Sequence, residues 1–361
     1  MDSFETFPEQ TEAKRRLRAA LADGPAHAYL FHGPPGVGKR ASAQAFASEL
    51  LGGSDRALRN SHPDLYVLVP VGDQIRIDEI RELRRDLHMR PFEADRRVYV
   101  IHGADTMNED AADALLKDLE EPPPYAVIVL VGTDIGPLPE TIRSRCQLVP
   151  FRRLSERAIR AELEDRAPEL APSQVTALAR VASGRLDRMN QLLEPDAIAR
   201  RTTLLELGRA VYRDPEFEPA DAAARLLEGI SQRGEKAREE AEEDMQRLDL
   251  PQREADQQLR RAQRGAEREE LLHSLEELAA WFRDLVVVAT GAERAAIHSD
   301  HLDDLREDAT VERLAGAERA CEIVREVWRA LEEFNLNAPL ALEALFVRLR
   351  HELAPNLVFE S

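Results

Sequence analysis

Cysteine is nearly absent: Cys146 and Cys321 are the only two in 361 residues. Neither has a neighbour at C-x-x-C spacing, so no cysteine metal module can be built, and one distant pair makes no disulfide framework; a reducing cytoplasm is expected. Long apolar runs are missing too. No stretch of about 18 apolar residues occurs, so no membrane span is expected. The opening MDSFETFPEQTEAKRRL lacks the apolar region of a secretory signal. Positive charge is in short supply, with a net charge of −19, which argues against a general nucleic-acid coat but leaves room for a local basic patch or a place in a DNA-bound complex. What is present, 43% hydrophobic and 32% charged residues, suits two or three globular domains at this length.

Up to about residue 151, short β-rich runs alternate with amphipathic stretches. The runs AYLFHG, DLYVLVP, RRVYVIHG, AVIVLVG and QLVPF are bounded by Gly and Pro. Several lack polar alternation, as strands buried on both faces do. Between them, Ile77, Ile80, Leu83 and Leu87 repeat at helical spacing, as do Ala111, Leu115 and Leu119 ahead of the stop at Pro122. Strands alternating with helices imply an α/β layer on a mainly parallel sheet.

After Leu154 the strands vanish. Residues 153–198 read as three short helices, with turns near Pro168–Pro172 and Ser183–Gly184. Residues 199–361 read as helical throughout. Within them, 21 of the 38 residues from Arg233 to Glu270 are charged, and large apolar residues are few (Met245, Leu248, Leu250, Leu259). So little apolar surface cannot hold a core, and a solvated helical arm broken at Pro251 is expected. The apolar faces around Trp281, Phe282, Leu285 and Leu340–Phe346 are larger than a small helical domain needs for itself, so an assembly interface is expected there.

HGPPGVGKRASA, residues 32–43, carries the chemistry. Gly33, Gly36, Gly38 and Lys39 fit G-x-x-x-x-G-K-[ST] except at the last position, which is Arg40. The loop lies between a strand and a helix, where backbone N–H groups and the helix N-terminus cradle phosphate. Hydrolysis needs more: the hydroxyl after the lysine and an acid at a neighbouring strand end hold magnesium. Arg40 removes the hydroxyl. VYVIHGADTMN ends its strand at His102 and Gly103, with Asp105 arriving late. Phosphate binding is compatible with this pattern and efficient hydrolysis is not; no metal site is expected.

HAYLFHGPPGVGK, HPDLYVL, RIDEIRELRRDL, VYVIHGADTMNEDAADALLKDLEEPP and LPETIRSRC follow in this order. The series resembles the AAA+ clamp-loader family, clearly over 26–152 and more weakly through VASGRLDRMNQLLE and NLNAPLALEALFVRL. The resemblance implies an α/β AAA+ P-loop domain at 1–152, a small helical lid at 153–198, and an all-α collar at 199–361 carrying the charged arm 233–270. It implies a role in loading a sliding clamp on primed DNA for DNA polymerase III. The implied partners are gamma/tau and delta subunits, the clamp and primer-template DNA through the complex, with no membrane. The degraded magnesium motifs favour a member that does not hydrolyse ATP, holding ATP or ADP at most, over a gamma/tau-like ATPase. In the family, the arginine of Ser144-Arg145-Cys146 acts as a finger in the neighbouring subunit's ATP site, so Arg145 is implied as catalytic in trans, with Arg143 close by. Cys146 has no visible His–Asp partners and is expected to be a small packed residue. The zinc module that many members carry has no counterpart in LLGGSDRALRNSHPDLY.

Overall fold

All five β-rich runs form strands: β1 (Ala28–His32), β2 (Leu65–Leu68), β3 (Arg97–His102), β4 (Ala126–Val131) and β5 (Gln147–Pro150). They make one parallel sheet in the order β2-β3-β4-β1-β5. β3 and β4 are buried along their whole length, which is why their sequences do not alternate. The computed structural model describes residues 3–4, 7–70, 74–245, 252–334 and 336–354.

Helices cover both faces of the sheet. The first part of the chain supplies α1 (Thr11–Asp23), α2 (Lys39–Leu50), the single turn α3 (Asp55–Leu58), α4 (Ile77–Leu87), α5 (Glu109–Glu120) and the short α6 (Glu140–Arg143). Ile80, Leu83 and Leu87 of α4 and Ala111, Leu115 and Leu119 of α5 bury their spaced apolar faces in one cluster with Leu30, Tyr99, Ile101, Ile128 and Leu130. Asn108 starts α5 by accepting from the backbone N–H of Ala111 at 2.9 Å, a side-chain cap that satisfies one orphan donor. Rings of Tyr29, Phe31, Phe46 and Phe151 pack in sequence, tying β1 to α2 and to the residue after β5.

The helical remainder comprises α7 (Glu156–Arg166), α8 (Pro172–Ala182), α9 (Leu186–Leu192), α10 (Ala197–Arg213), α11 (Pro219–Met245), α12 (Gln252–Ala289), α13 (Leu302–Asp308), α14 (Leu314–Phe334) and α15 (Ala338–Leu353). The fold class expected from the sequence is present: an α/β P-loop layer followed by helices alone. The chain divides into two compact units, Met1–Pro168 with Ala182–Gln191, and Glu169–Val181 with Leu192–Ser361. No helix among the described residues is long and apolar enough to cross a membrane.

In the second unit, Trp281, Phe282, Leu285, Leu342, Leu345 and Phe346 are buried in its own core. This corrects the expectation of an assembly face for Trp281, Phe282, Leu285 and Phe346, whose side chains fill the unit's own core, while Leu340 stays exposed. One helix face of α12 packs against α10, α11 and α14, and among the described residues Phe334, Leu336, Leu340 and Val347 are exposed large apolar residues toward that end of the chain. Beside this core Asp308, fully buried, accepts from Arg209 Nε (2.7 Å), Arg213 Nε (2.6 Å) and Tyr212 OH (2.9 Å), and Trp281 Nε1 donates to the Tyr212 oxygen at 3.1 Å. A buried carboxylate is tolerated there because its lone pairs are taken up by charged donors.

The charged stretch is helical on both sides of its centre, and most of its described residues are exposed. α11 and α12 lie side by side, and a Cβ on Gly234 would meet the Glu267 side chain. The arm is held at its base by Arg233 to Glu194 (2.9 Å) and Arg200 to Glu270 (3.5 Å). The break at Pro251, with Leu248 and Leu250, lies outside the described residues.

Candidate functional site

The loop after β1 adopts the conformation its glycines permit. Gly33 and Gly36 have φ of 136° and 74°, left-handed values that side chains resist. A Cβ on Gly33 would run into the Phe151 carbonyl, and one on Gly36 into the Asp187 carboxylate. α2 begins at Lys39, directly after the loop, with its N-terminus toward it.

Lys39 is buried at 6% exposure, and its ammonium is turned back onto the loop's own carbonyls, Gly33 at 2.6 Å and Pro34. Burial lowers its pKa to about 8, against the opposing pull of Asp105 and Asp187. Arg40, in the hydroxyl position, points into solvent.

At the magnesium side, β3 ends at His102, which is buried; burial and then the Arg40 charge push its pKa down to about 4. It is therefore a neutral packed imidazole, and its Nδ1 meets no hydrogen-bond partner among the described residues. Asp105 comes three residues later in a single 3₁₀ turn. Its Oδ2 accepts from Thr133 N (2.9 Å), Thr133 Oγ1 (2.5 Å) and Asp134 N (3.1 Å). Burial would raise this carboxyl, but those donors outweigh burial and hold it below its ordinary value. The carboxylate ties the ends of β3 and β4 together instead of offering its lone pairs to an ion. The donor set does not fit a magnesium–nucleotide: the hydroxyl is replaced, the strand-end acid is absent, and the nearest carboxylate is consumed.

A third element reaches the loop. Gly184 (φ 75°) and Ser183 (φ 49°) turn the chain into α9. The N–H groups of Leu186 (2.7 Å) and Asp187 (3.3 Å) then both donate to the Gly36 carbonyl. The Asp187 carboxylate packs on Gly36, and Arg185 holds it by a two-point fork, Nε at 3.1 Å and Nη2 at 2.9 Å. Asp187 was not found by sequence reasoning. The only signal was a carboxylate flanked by Arg185 and Arg188 just after a glycine turn, 151 residues from the loop it meets.

Arg145 lies apart from the P-loop, between α6 and β5. Its Nη1 donates to the Thr141 carbonyl (2.8 Å) and Ser144 Oγ (3.3 Å), and its Nη2 pairs with Glu120 Oε1 at 2.5 Å. It borders an open cleft of about 570 Å³, lined also by Arg16, His27, Leu119, Glu120 and Ser144. Cys146 beside it packs partly on the core, and burial pushes its thiol up to about 12, far from thiolate chemistry. Thus the four P-loop residues come together, Arg145 stands separately at an accessible edge, and Glu120 is a partner the sequence did not announce.

A five-stranded parallel sheet with a phosphate loop between β1 and α2 defines an AAA+-type P-loop unit. Residues 9–155 match the family described as DNA polymerase III, delta subunit. The chain is 34% identical over 185 residues to the DNA polymerase III delta-prime subunit of Bacillus subtilis, covering 46% of this chain and 56% of the relative. It is 38% identical over 136 residues to that of Pseudomonas aeruginosa, covering 34% and 42%. To the tau subunit of B. subtilis it is 31% identical over 169 residues, covering 43% and 30%. Among solved structures, a gamma-subunit-related protein from Thermotoga maritima aligns with 94% of this chain and 99% of its own, at 17% identity and a TM-score of 0.47. The chain spans about half the length of the delta-prime relatives it matches. Over the matched region the resemblance read from the motif series holds, and it is to delta-prime subunits of the clamp-loader family.

Proposed function

We propose that this chain is the delta-prime subunit of a bacterial replicative clamp loader. It joins gamma/tau and delta subunits, helps place the sliding clamp on primed DNA, and supplies Arg145 as a finger to a neighbouring subunit's ATP. The carrying observation is that one unit holds a P-loop without magnesium ligands and, apart from it, an exposed guanidinium beside an open cleft. An arginine brought to a transferring phosphoryl group from outside accelerates hydrolysis by roughly 10³–10⁵ in comparable systems. In this reading the finger leaves Glu120 for the partner's phosphate on assembly. The proposed division of labour assigns 1–152 to the AAA+ domain, 153–198 to a lid and 199–361 to a collar.

The 31% identity to tau favours a second reading, a gamma/tau-like ATPase. Arg40, the neutral His102 and the engaged Asp105 weigh against it. The test combines two measurements. Purified alone, the chain is expected to turn over ATP negligibly; mixed with gamma/tau and delta subunits, it is expected to co-elute with them on gel filtration. Isolated turnover near ~1 s⁻¹, within the ordinary enzyme range and lost in Lys39→Ala, contradicts the proposal, as does failure to assemble.

A further inference from the structure

The Asp187 carboxylate lies against the phosphate loop at Gly36. We propose that the Asp187 carboxylate serves as a built-in counter-anion on the P-loop, latching α9 to Gly36 and excluding nucleotide polyphosphate from the cradle.

Three independent contacts point there. The carboxylate lies against the Gly36 Cα, closely enough that a Cβ would overlap it. Two successive backbone N–H groups, of Leu186 and Asp187, are spent on the Gly36 carbonyl, which fixes the start of α9 on the loop. The turn before α9 is itself anchored: Arg153 Nη1 donates to the Ser183 carbonyl at 2.8 Å, and Leu154 N to the Gly184 carbonyl at 3.0 Å. Asp187 is therefore delivered by a fixed turn and oriented by the Arg185 fork.

The chemistry of exclusion is like charge at short range. A phosphate loop binds its ligand by gathering N–H dipoles and one ammonium around several negative charges. Here that ammonium is spent on the carbonyls of Gly33 and Pro34, with Asp187 in electrostatic reach. On this proposal a polyphosphate entering the loop encounters the like charge of the carboxylate beside Gly36 and has to displace the lysine's bonds to Gly33 and Pro34. The inference concerns the loop alone and does not rest on the role proposed for Arg145.

Equilibrium titration of the full chain with ADP and with inorganic pyrophosphate, at low ionic strength without magnesium, tests it. The comparison is between wild type, Asp187→Asn and Asp187→Ala. Asp187→Asn keeps the shape and removes the charge, so its fold is the safer one to interpret. The expected result is at least tenfold tighter binding by Asp187→Asn, with protection of Lys39 from amine acylation appearing only in the variants. Equal affinities in wild type and folded variants overturn the proposal. A wild-type arm stands without any variant: if millimolar ADP or pyrophosphate protects Lys39 in the unaltered chain, the cradle is open and Asp187 excludes nothing.

Discussion

Two buried side chains set how this protein meets acid. His102 has its pKa depressed from 6.5 to about 4, so between those values the unfolded chain binds the proton and the folded one does not. Stability is therefore full above the unfolded value and falls as pH drops toward 4. Near pH 5 the loss from this one group is roughly 2 kcal/mol. His102→Gln should flatten the slope of stability against pH in that window, as read by denaturant midpoints. Asp308 acts lower down. Burial would raise its carboxyl, but Arg209, Arg213 and Tyr212 outweigh burial and hold it below its ordinary value, so its contribution is present above the unfolded value and lost as pH falls through the folded one. Asp308→Ala leaves the buried Tyr212 hydroxyl without its acceptor, while Arg209 and Arg213 keep Asp304 and Glu307, and is expected to cost about 1–3 kcal/mol near neutrality, measured by chemical denaturation.

At the scale of elements, the parts written in local pattern came through. The continuous apolar runs became β3 and β4 because both faces of each strand are buried, and helical spacing became α4 and α5 because one face of each helix packs on the sheet. Turns at Ser183–Gly184 fell where the residues with left-handed φ stand. What local pattern does not carry is which distant groups meet. Asp187 on Gly36, Glu120 on Arg145 and Asp308 under Arg209 join residues 25 to 151 positions apart, and nothing in their own neighbourhoods names the partner. The same limit explains the misreading of Trp281 and Phe346: an apolar helix face is identical in sequence whether its own unit or another covers it. The described parts of the charged arm are mostly exposed, so shortening it is expected to be tolerated. A short Gly/Ser linker in place of residues 243–257 keeps the Arg233–Glu194 and Arg200–Glu270 pairs at the arm's base. A change in Tm within about 2–4 °C is expected, since ~1 kcal/mol moves a domain of this size by that much. A larger drop in a thermal melt would place core packing in the arm.

For the whole molecule, the proposed function divides the labour between a P-loop without magnesium ligands and an exposed Arg145 offered to another subunit's site. Among the described residues Arg145 bonds to the exposed Thr141 carbonyl, Ser144 and Glu120, so Arg145→Ala should leave the chain folded and able to assemble. Arg145→Lys should rescue little, because an ammonium lacks the planar donor fork. The decisive measurement is steady-state ATP turnover, stimulated by clamp and primed DNA, in wild-type and Arg145→Ala complexes matched by gel filtration. The account predicts a clear partial loss in the mutant complex, partial because sites elsewhere keep their own arginines. Equal stimulated rates in two fully assembled complexes would contradict it and leave this chain a structural subunit.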